Sequence, residues 1–266
     1  MIPVGYRDKS ENPAHNGTNL FEKRAEGAIR TMRQCLFDPP SIPELAEEAR
    51  VTPWHFIRLF RRTVGIPPGE YLAAIRIEYA KTLLLKTPEK VTDICFDLGF
   101  SSLGSFTSRF TALVGVSPVA FRHLVDTFSP KRLADQMDRQ SRWQSCPGLK
   151  GIIQAPASFS GPVFVGLFPK PIPERFPMAS TLLMGPGPFL IPYASRTGFL
   201  MAAGISSFHD PIRYLIPNEH LLVGVLPLQN PVEWELEFCL RPLEPLDPPI
   251  LVALLACLGL PDPVFP

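Results

Sequence analysis

The residues best equipped for chemistry are arginines set among aromatic and small polar side chains. Trp54, His55, Ile57, Arg58, Arg61 and Arg62 are crowded into one short segment. At 3.6 residues per turn, Trp54, Ile57, Arg58 and Arg61 share one face of a helix. A guanidinium on such a face can bond a guanine edge or a phosphate. An indole can pack on a thymine methyl or a sugar. Arg62 lies beside that face, placed for a phosphate. His55 suits a phosphate or solvent contact better than the role of a base. A second face follows further along the chain, made of Leu103, Gly104, Thr107, Ser108 and Thr111, with Ser105 beside it and Arg109 at its edge. It is short and nearly uncharged. It can approach a groove closely but offers fewer strong base contacts.

Other chemistries find less support. His209 and Asp210 are neighbours followed by Pro211, and adjacent side chains on a turn point apart. They read as a loop, not a dyad. His123 is expected to serve the end of the last helix. No phosphate-binding G-x-x-x-x-G-K-[ST], nucleophile G-x-S-x-G or zinc-protease H-E-x-x-H run occurs. Gly185-Pro186-Gly187-Pro188 reads as a turn, because proline removes the amide donors that a phosphate cradle needs. The five cysteines, Cys35, Cys95, Cys146, Cys239 and Cys257, contain no C-x-x-C pair and no accompanying histidine cluster. They are expected to be free buried thiols. No enzyme activity, cofactor or metal site is expected.

The elements that must carry these faces are helical. Phe21–Phe37 places Ala25, Ala28, Ile29, Met32 and Leu36 on one stripe. Ser41-Ile42-Pro43-Glu44 is a helix start, with Ser as cap, Pro in the first turn and Glu three residues on. Thr52-Pro53 opens the next helix, with Phe56, Leu59 and Phe60 inward. Pro67-Pro68 opens a long one through Tyr71, Leu72, Ile75, Tyr79 and Leu83 to about Lys86. Helices are expected again at Val91–Leu98, Ser102–Val114 and Pro118–Leu124.

This helical stretch repeats itself. Phe56 matches Phe106, Phe60 matches Phe110, Gly65 matches Gly115 and Pro68 matches Pro118, all 50 residues apart. Upstream the offset is 49, pairing Ile42 with Val91 and Leu45 with Ile94. The second unit therefore holds one extra residue in its turn. Each unit is helix, short turn, helix, with turns at Arg50–Thr52 and Gly99–Ser101. That is the pattern of a helix-turn-helix, whose second helix enters the DNA major groove.

Residues 41–124 resemble the DNA-binding domain of the AraC family, two helix-turn-helix units joined by a long helix. The resemblance rests on Leu45-Ala46, Phe56, Phe60, Gly65, Tyr71, Arg76, Ala80 and Leu84. It is strongest in Ile94, Leu98-Gly99-Phe100, Phe106, Arg109-Phe110, Gly115, Ser117-Pro118 and Phe121-Arg122. It implies that Trp54, Ile57, Arg58, Leu103, Gly104, Thr107 and Ser108 meet successive major-groove segments. Ile57 stands where the family often has a polar reader, and Phe121 where tyrosine is more usual. Repair proteins that join this unit to a methyl-accepting cysteine would need clustered zinc thiolates, a spacing Cys35, Cys95 and Cys146 lack. Many members of the family carry a cupin-like effector domain before the DNA-binding half; here the order is reversed.

The rest of the chain differs in kind. Of 32 prolines, 10 precede Pro130 and 21 follow Gln144. Through Gln144 there are 20 Lys+Arg and 16 Asp+Glu, then 6 and 9, so the two parts carry about +4 and −3. Short strands are expected at Val163–Leu167, Ser180–Met184, Phe189–Tyr193, Phe199–Ala203 and Leu221–Leu226. In Val232–Phe238, Val232, Trp234, Leu236 and Phe238 alternate with glutamates. This predicts a β-sandwich, faintly like transthyretin or carboxypeptidase-regulatory domains. Its aromatic residues, including Phe164, Tyr193, Phe208, Tyr214 and Trp234, fill its core or line an apolar pocket. The apolar Pro248–Pro261 packs into that sandwich or onto a second copy of the chain.

The expected organisation is a flexible tail (1–20), a tandem helix-turn-helix domain of about seven helices (21–128), a linker with a helical turn near Leu133–Met137 (129–149) and an all-β sandwich (150–266). The start of the sequence has no apolar leader, and the longest apolar run, Ile250–Leu260, is too short to span a bilayer. A cytoplasmic protein with no membrane partner is expected. The function expected is sequence-specific binding of double-stranded DNA to regulate transcription, with the β domain sensing an effector or dimerising. Candidate partners besides DNA are RNA polymerase, a small-molecule effector and a second copy bound through the C-terminal domain. The alternative is a protein-interaction adaptor whose β-sandwich is the working part and whose helices are a scaffold.

Overall fold

A computed structural model describes residues 15–126, 148–192, 197–206, 210–228 and 235–254. Seven helices come first: α1 (His15–Gln34), α2 (Ile42–Glu48), α3 (Pro53–Val64), α4 (Pro68–Lys86), α5 (Val91–Asp97), α6 (Leu103–Val114) and α7 (Pro118–Arg122). Eight strands follow: β1 (Gly148–Gln154), β2 (Val163–Phe168), β3 (Ala179–Leu183), β4 (Gly187–Pro192), β5 (Gly198–Gly204), β6 (Leu222–Leu228), β7 (Glu235–Cys239) and β8 (Arg241–Pro242). The chain divides into two compact units, Met1–Phe106 with Glu244–Pro249, and Thr107–Leu243 with Ile250–Pro266. The division falls inside α6.

In the first unit, the starts of α2, α3 and α4 each have a local cause. Ser41 accepts the Glu44 amide while the Glu44 carboxylate accepts the Ser41 amide at 2.6 Å, a reciprocal cap. Thr52 caps α3 through the His55 amide. Pro68 occupies the first turn of α4, where its missing N–H costs nothing. Helix α1 begins at His15, inside the segment expected to be a tail. The predicted stripe is buried throughout, in Ala25, Ala28, Ile29 and Met32 of α1 and in Leu36 beyond it, since α1 ends at Gln34 and not at Phe37 as expected. Phe60 meets Tyr71 edge-on at 5.7 Å, joining α3 to α4. Helix α4 is buried on several sides, through Tyr71, Ala74, Ile75, Ile77, Ala80, Lys81 and Leu84. Tyr79 on the same helix is exposed and packs edge-on against Phe37 at 5.8 Å.

In the second unit two sheets enclose one core. Three strands run in the order β4-β1-β7 and five in the order β3-β2-β5-β6-β8. The β1–β7 pair is parallel; the other pairs are antiparallel. Leu149, Ile153, Val163, Val165, Leu167, Phe189, Ile191 and Leu200 pack between the sheets. Strand β2 is buried on both faces, because its other face carries Phe164, which stacks edge-on with buried Tyr214 at 5.9 Å. Tyr214 ends a short 3-10 turn, Pro211–Tyr214, capped by Asp210. Five predicted strands appear as β2 to β6. Strand β7 begins at Glu235, and Val232 to Trp234 lie outside the described residues, as do Tyr193, Phe208, His209 and the turn expected near Leu133–Met137. Strand β1 was not expected; it begins within the anticipated linker. In the described part of the apolar segment Pro248–Pro261, Ile250–Leu254 are buried.

Candidate nucleic-acid interface

The repeat seen in the residues recurs in the backbone, bond for bond. Ahead of each turn, Ala49 donates to Leu45 O at 3.1 Å and Leu98 to Ile94 O at 3.2 Å. Within the turns, Val51 donates to Ala46 O at 3.0 Å and Phe100 to Cys95 O at 3.1 Å. All of these pairs are 49 apart. From the next helix on the offset is 50: Phe56 donates to Thr52 O and Phe106 to Ser102 O, then Gly65 to Arg61 O and Gly115 to Thr111 O. The extra residue is therefore Ser101. Each turn uses one left-handed residue, Arg50 at φ +53° and Gly99 at φ +75°. Each second helix ends on a left-handed glycine, Gly65 at +92° and Gly115 at +97°.

Apolar residues hold one side of each second helix down. Phe56, Leu59, Phe60 and Val64 of α3 are buried, as are Phe106, Phe110 and Val114 of α6. The opposite sides carry the predicted readers. On α3, Trp54 is 69% exposed, and Ile57, Arg58, Arg61 and Arg62 are exposed. The Arg58 guanidinium lies over the Trp54 ring, 4.8 Å from its centroid. Its Nη2 is 3.3 Å from His55 Nδ1. Half-buried His55 thus braces Arg58 from within the same helix, a link the sequence reading missed although the i, i+3 spacing carries it. On α6, Leu103, Gly104, Ser105, Ser108 and Arg109 are exposed and Thr107 is half-buried. A Cβ built on Gly104 would meet nothing within 4 Å, so that surface is open. The Ser102 hydroxyl caps α6 through the Ser105 amide at 3.2 Å, which keeps Ser105 at the helix start.

The two faces differ chemically. The α3 face offers guanidiniums and a stacking platform; the α6 face offers hydroxyls, a methyl-rich leucine and a glycine. Outside both faces, Arg33 bonds Glu78 at 2.8 Å, a structural pair. His123 pairs with Asp126 at 3.1 Å, just past the end of α7. Cys95 is buried as expected, but Cys35 and Cys239 are exposed. Cys239 lies on β7, where its Sγ reaches Gln154 Oε1 at 3.4 Å across the parallel pair with β1. Among the described residues no helix is long and apolar enough to cross a membrane.

Residues 45–123 match the model of a family described as a helix-turn-helix domain. The chain is 41% identical over 87 residues to the transcriptional activator AarP of Providencia stuartii, covering 33% of this chain and 64% of that protein. It is 31% identical over 103 residues to an uncharacterized helix-turn-helix regulator, YobQ, of Bacillus subtilis, covering 39% of this chain and 43% of that one. The chain therefore spans between two fifths and two thirds of these relatives. A solved regulator from Chromobacterium violaceum with an AraC-type DNA-binding domain is 26% identical, at a TM-score of 0.37, covering 38% of this chain and 90% of that one. The DNA-binding domain of AdpA, solved with a target DNA, is 24% identical at a TM-score of 0.37, covering 41% of this chain and 97% of that one.

Proposed function

We propose that this chain, whose helical part is a DNA-binding domain of the AraC family, regulates transcription by binding specific double-stranded DNA through α3 and α6. The observation that carries the reading is the repeated turn: two helices, each held by aromatic residues on one side and exposed on the other. Helix α3 reads bases with Arg58, steadied by Trp54 and His55, while Arg61 and Arg62 meet phosphates. Helix α6 reads mainly by close fit, with Leu103, Gly104, Thr107 and Ser108 against base edges and methyl groups. Ser105 and Arg109 flank that surface. The sheet-rich part serves effector sensing or self-association, on the strength of a core of its own.

The test is a footprint of the full chain on duplexes selected from a random pool. Two protected major-groove segments about one helical turn apart support the reading. Absence of any salt-sensitive DNA binding overturns it and leaves the adaptor reading, with the sheets as the working surface.

A further inference from the structure

One end of α6 is held from outside the helical repeat. The last carbonyls of a helix have no partner within it and usually face water. In α6 two of them do not. Leu113 O accepts the Arg175 amide at 2.6 Å, and Val114 O accepts the Ala253 amide at 3.3 Å. Arg175 belongs to the segment joining β2 to β3, and Ala253 to the buried stretch after β8. These two segments also hold each other, because Pro173 O accepts the amides of Leu251 at 3.0 Å and Val252 at 2.9 Å. Beside them the Phe176 ring covers Gly115, where a Cβ would meet it at 3.1 to 3.3 Å. Ile172, Leu251 and Ala253 are fully buried. Arg175 takes φ +60°, a conformation that side chains avoid unless their surroundings over-determine it. All of these residues lie within one compact unit.

We propose that the backbone amide at position 175 and the Phe176 ring position the second DNA-reading helix. The β2–β3 segment and the 250–253 stretch clamp the last turn of α6 and so set how Leu103 to Ser108 are presented. This rests on the proposed role of α6 in reading DNA. It gives the sheet-rich unit a part in recognition itself, because β2 lies inside its sheet, between β3 and β5, and leads directly into the clamp. A ligand or partner that shifts β2 or β3 would reach α6 directly through the Arg175–Leu113 hydrogen bond and the Phe176 ring, and indirectly through Pro173 and the 250–253 stretch.

The test uses the full chain with Phe176→Ala, Phe176→Leu and Arg175→Gly. Hydrogen exchange is read separately over α3 and α6, without DNA. Phe176→Ala is expected to speed exchange in the last turns of α6 by about tenfold while α3 is unchanged. Phe176→Leu restores most of the protection, and Arg175→Gly, which keeps the amide and relieves the backbone, leaves it intact. In the footprint, Phe176→Ala loses the segment facing α6 before the segment that Arg58→Ala identifies as facing α3. Equal exchange in α6 of wild type and Phe176→Ala overturns the clamp. So does equal loss of both protected segments. A wild-type chain that protects no DNA overturns the DNA reading alone, since the exchange result still decides whether α6 is clamped.

Discussion

At the scale of single residues, the two turns make a natural comparison. Gly99 adopts its left-handed conformation without a Cβ, whereas Arg50 adopts the matching one with a full side chain. The strain at Arg50 is about 1–2 kcal/mol, and glycine's extra backbone entropy offsets about 0.5–1 kcal/mol of any relief. Arg50→Gly should therefore stabilise the protein by up to about 1 kcal/mol, read as a higher urea midpoint. Gly99→Ala should destabilise by about 1–2 kcal/mol at the same assay. A second comparison concerns Arg58. Stacked on Trp54, it is pre-organised as a planar fork, a geometry lysine does not share. Arg58→Ala should cost about 1–3 kcal/mol of DNA affinity and relax selectivity at one base position. Arg58→Lys should recover less than half of that loss in a titration against the selected duplex, and full recovery would reduce Arg58 to a phosphate contact. Which side chains of α3 and α6 are exposed was legible because exposure on a short helix follows from its period. The His55–Arg58 link was not read, because it depends on rotamers that a pattern of types does not specify.

At the scale of elements, helix boundaries were the most legible feature, since five of the seven described helices start at a local device: Ser41, Thr52, Pro68, Ser102 and Ser117. Burial on α4 was harder to read. That helix is surrounded on several sides, so apolar residues give no single stripe, and Tyr79 ended outside while Lys81 ended inside. Burial lowers the Lys81 pKa from 10.5 to about 7, with Glu78 acting in the opposite direction. The unfolded chain keeps its proton up to the ordinary lysine range, while the folded chain gives it up near 7. Between those values the unfolded state binds more protons, so folding stability rises as pH increases from about 7 toward 10. Urea unfolding at pH 7 and pH 9 should show that rise in the wild type. Lys81→Met should flatten it, and an unchanged slope would mean that Lys81 stays charged in the fold. Strand β1 was hidden for a different reason. Its inward residues are Leu149, Gly151 and Ile153, and the glycine breaks the apolar alternation. That glycine is needed because a Cβ there would collide with the backbone oxygen of Leu236 in β7.

At the scale of the whole molecule, the uneven charge of the chain becomes a statement about binding. Net charge is only +1, yet the part through Gln144 carries an excess of positive groups and the remainder an excess of negative ones. The split was legible by counting; the bonds that join the β2–β3 segment and the 250–253 stretch to α6 were not, because backbone donors and acceptors leave no mark on residue type. The excess on the helical side is concentrated on α3, in Arg58, Arg61 and Arg62, while the exposed face of α6 has Arg109 at its edge. Counterion release makes the logarithm of affinity fall linearly with the logarithm of salt, by about 0.9 for each phosphate neutralised. Arg62→Ala should therefore weaken selected and unselected duplexes alike and reduce the salt slope by about one. Arg58→Ala should instead narrow the gap between selected and unselected duplexes with a smaller change in slope. Glu237→Ala, on the exposed side of β7, should alter neither quantity. Titrations at several salt concentrations separate the three variants. If Arg62→Ala narrowed the selectivity gap while Arg58→Ala changed only the slope, the base-reading and phosphate-holding roles on α3 would have to be exchanged.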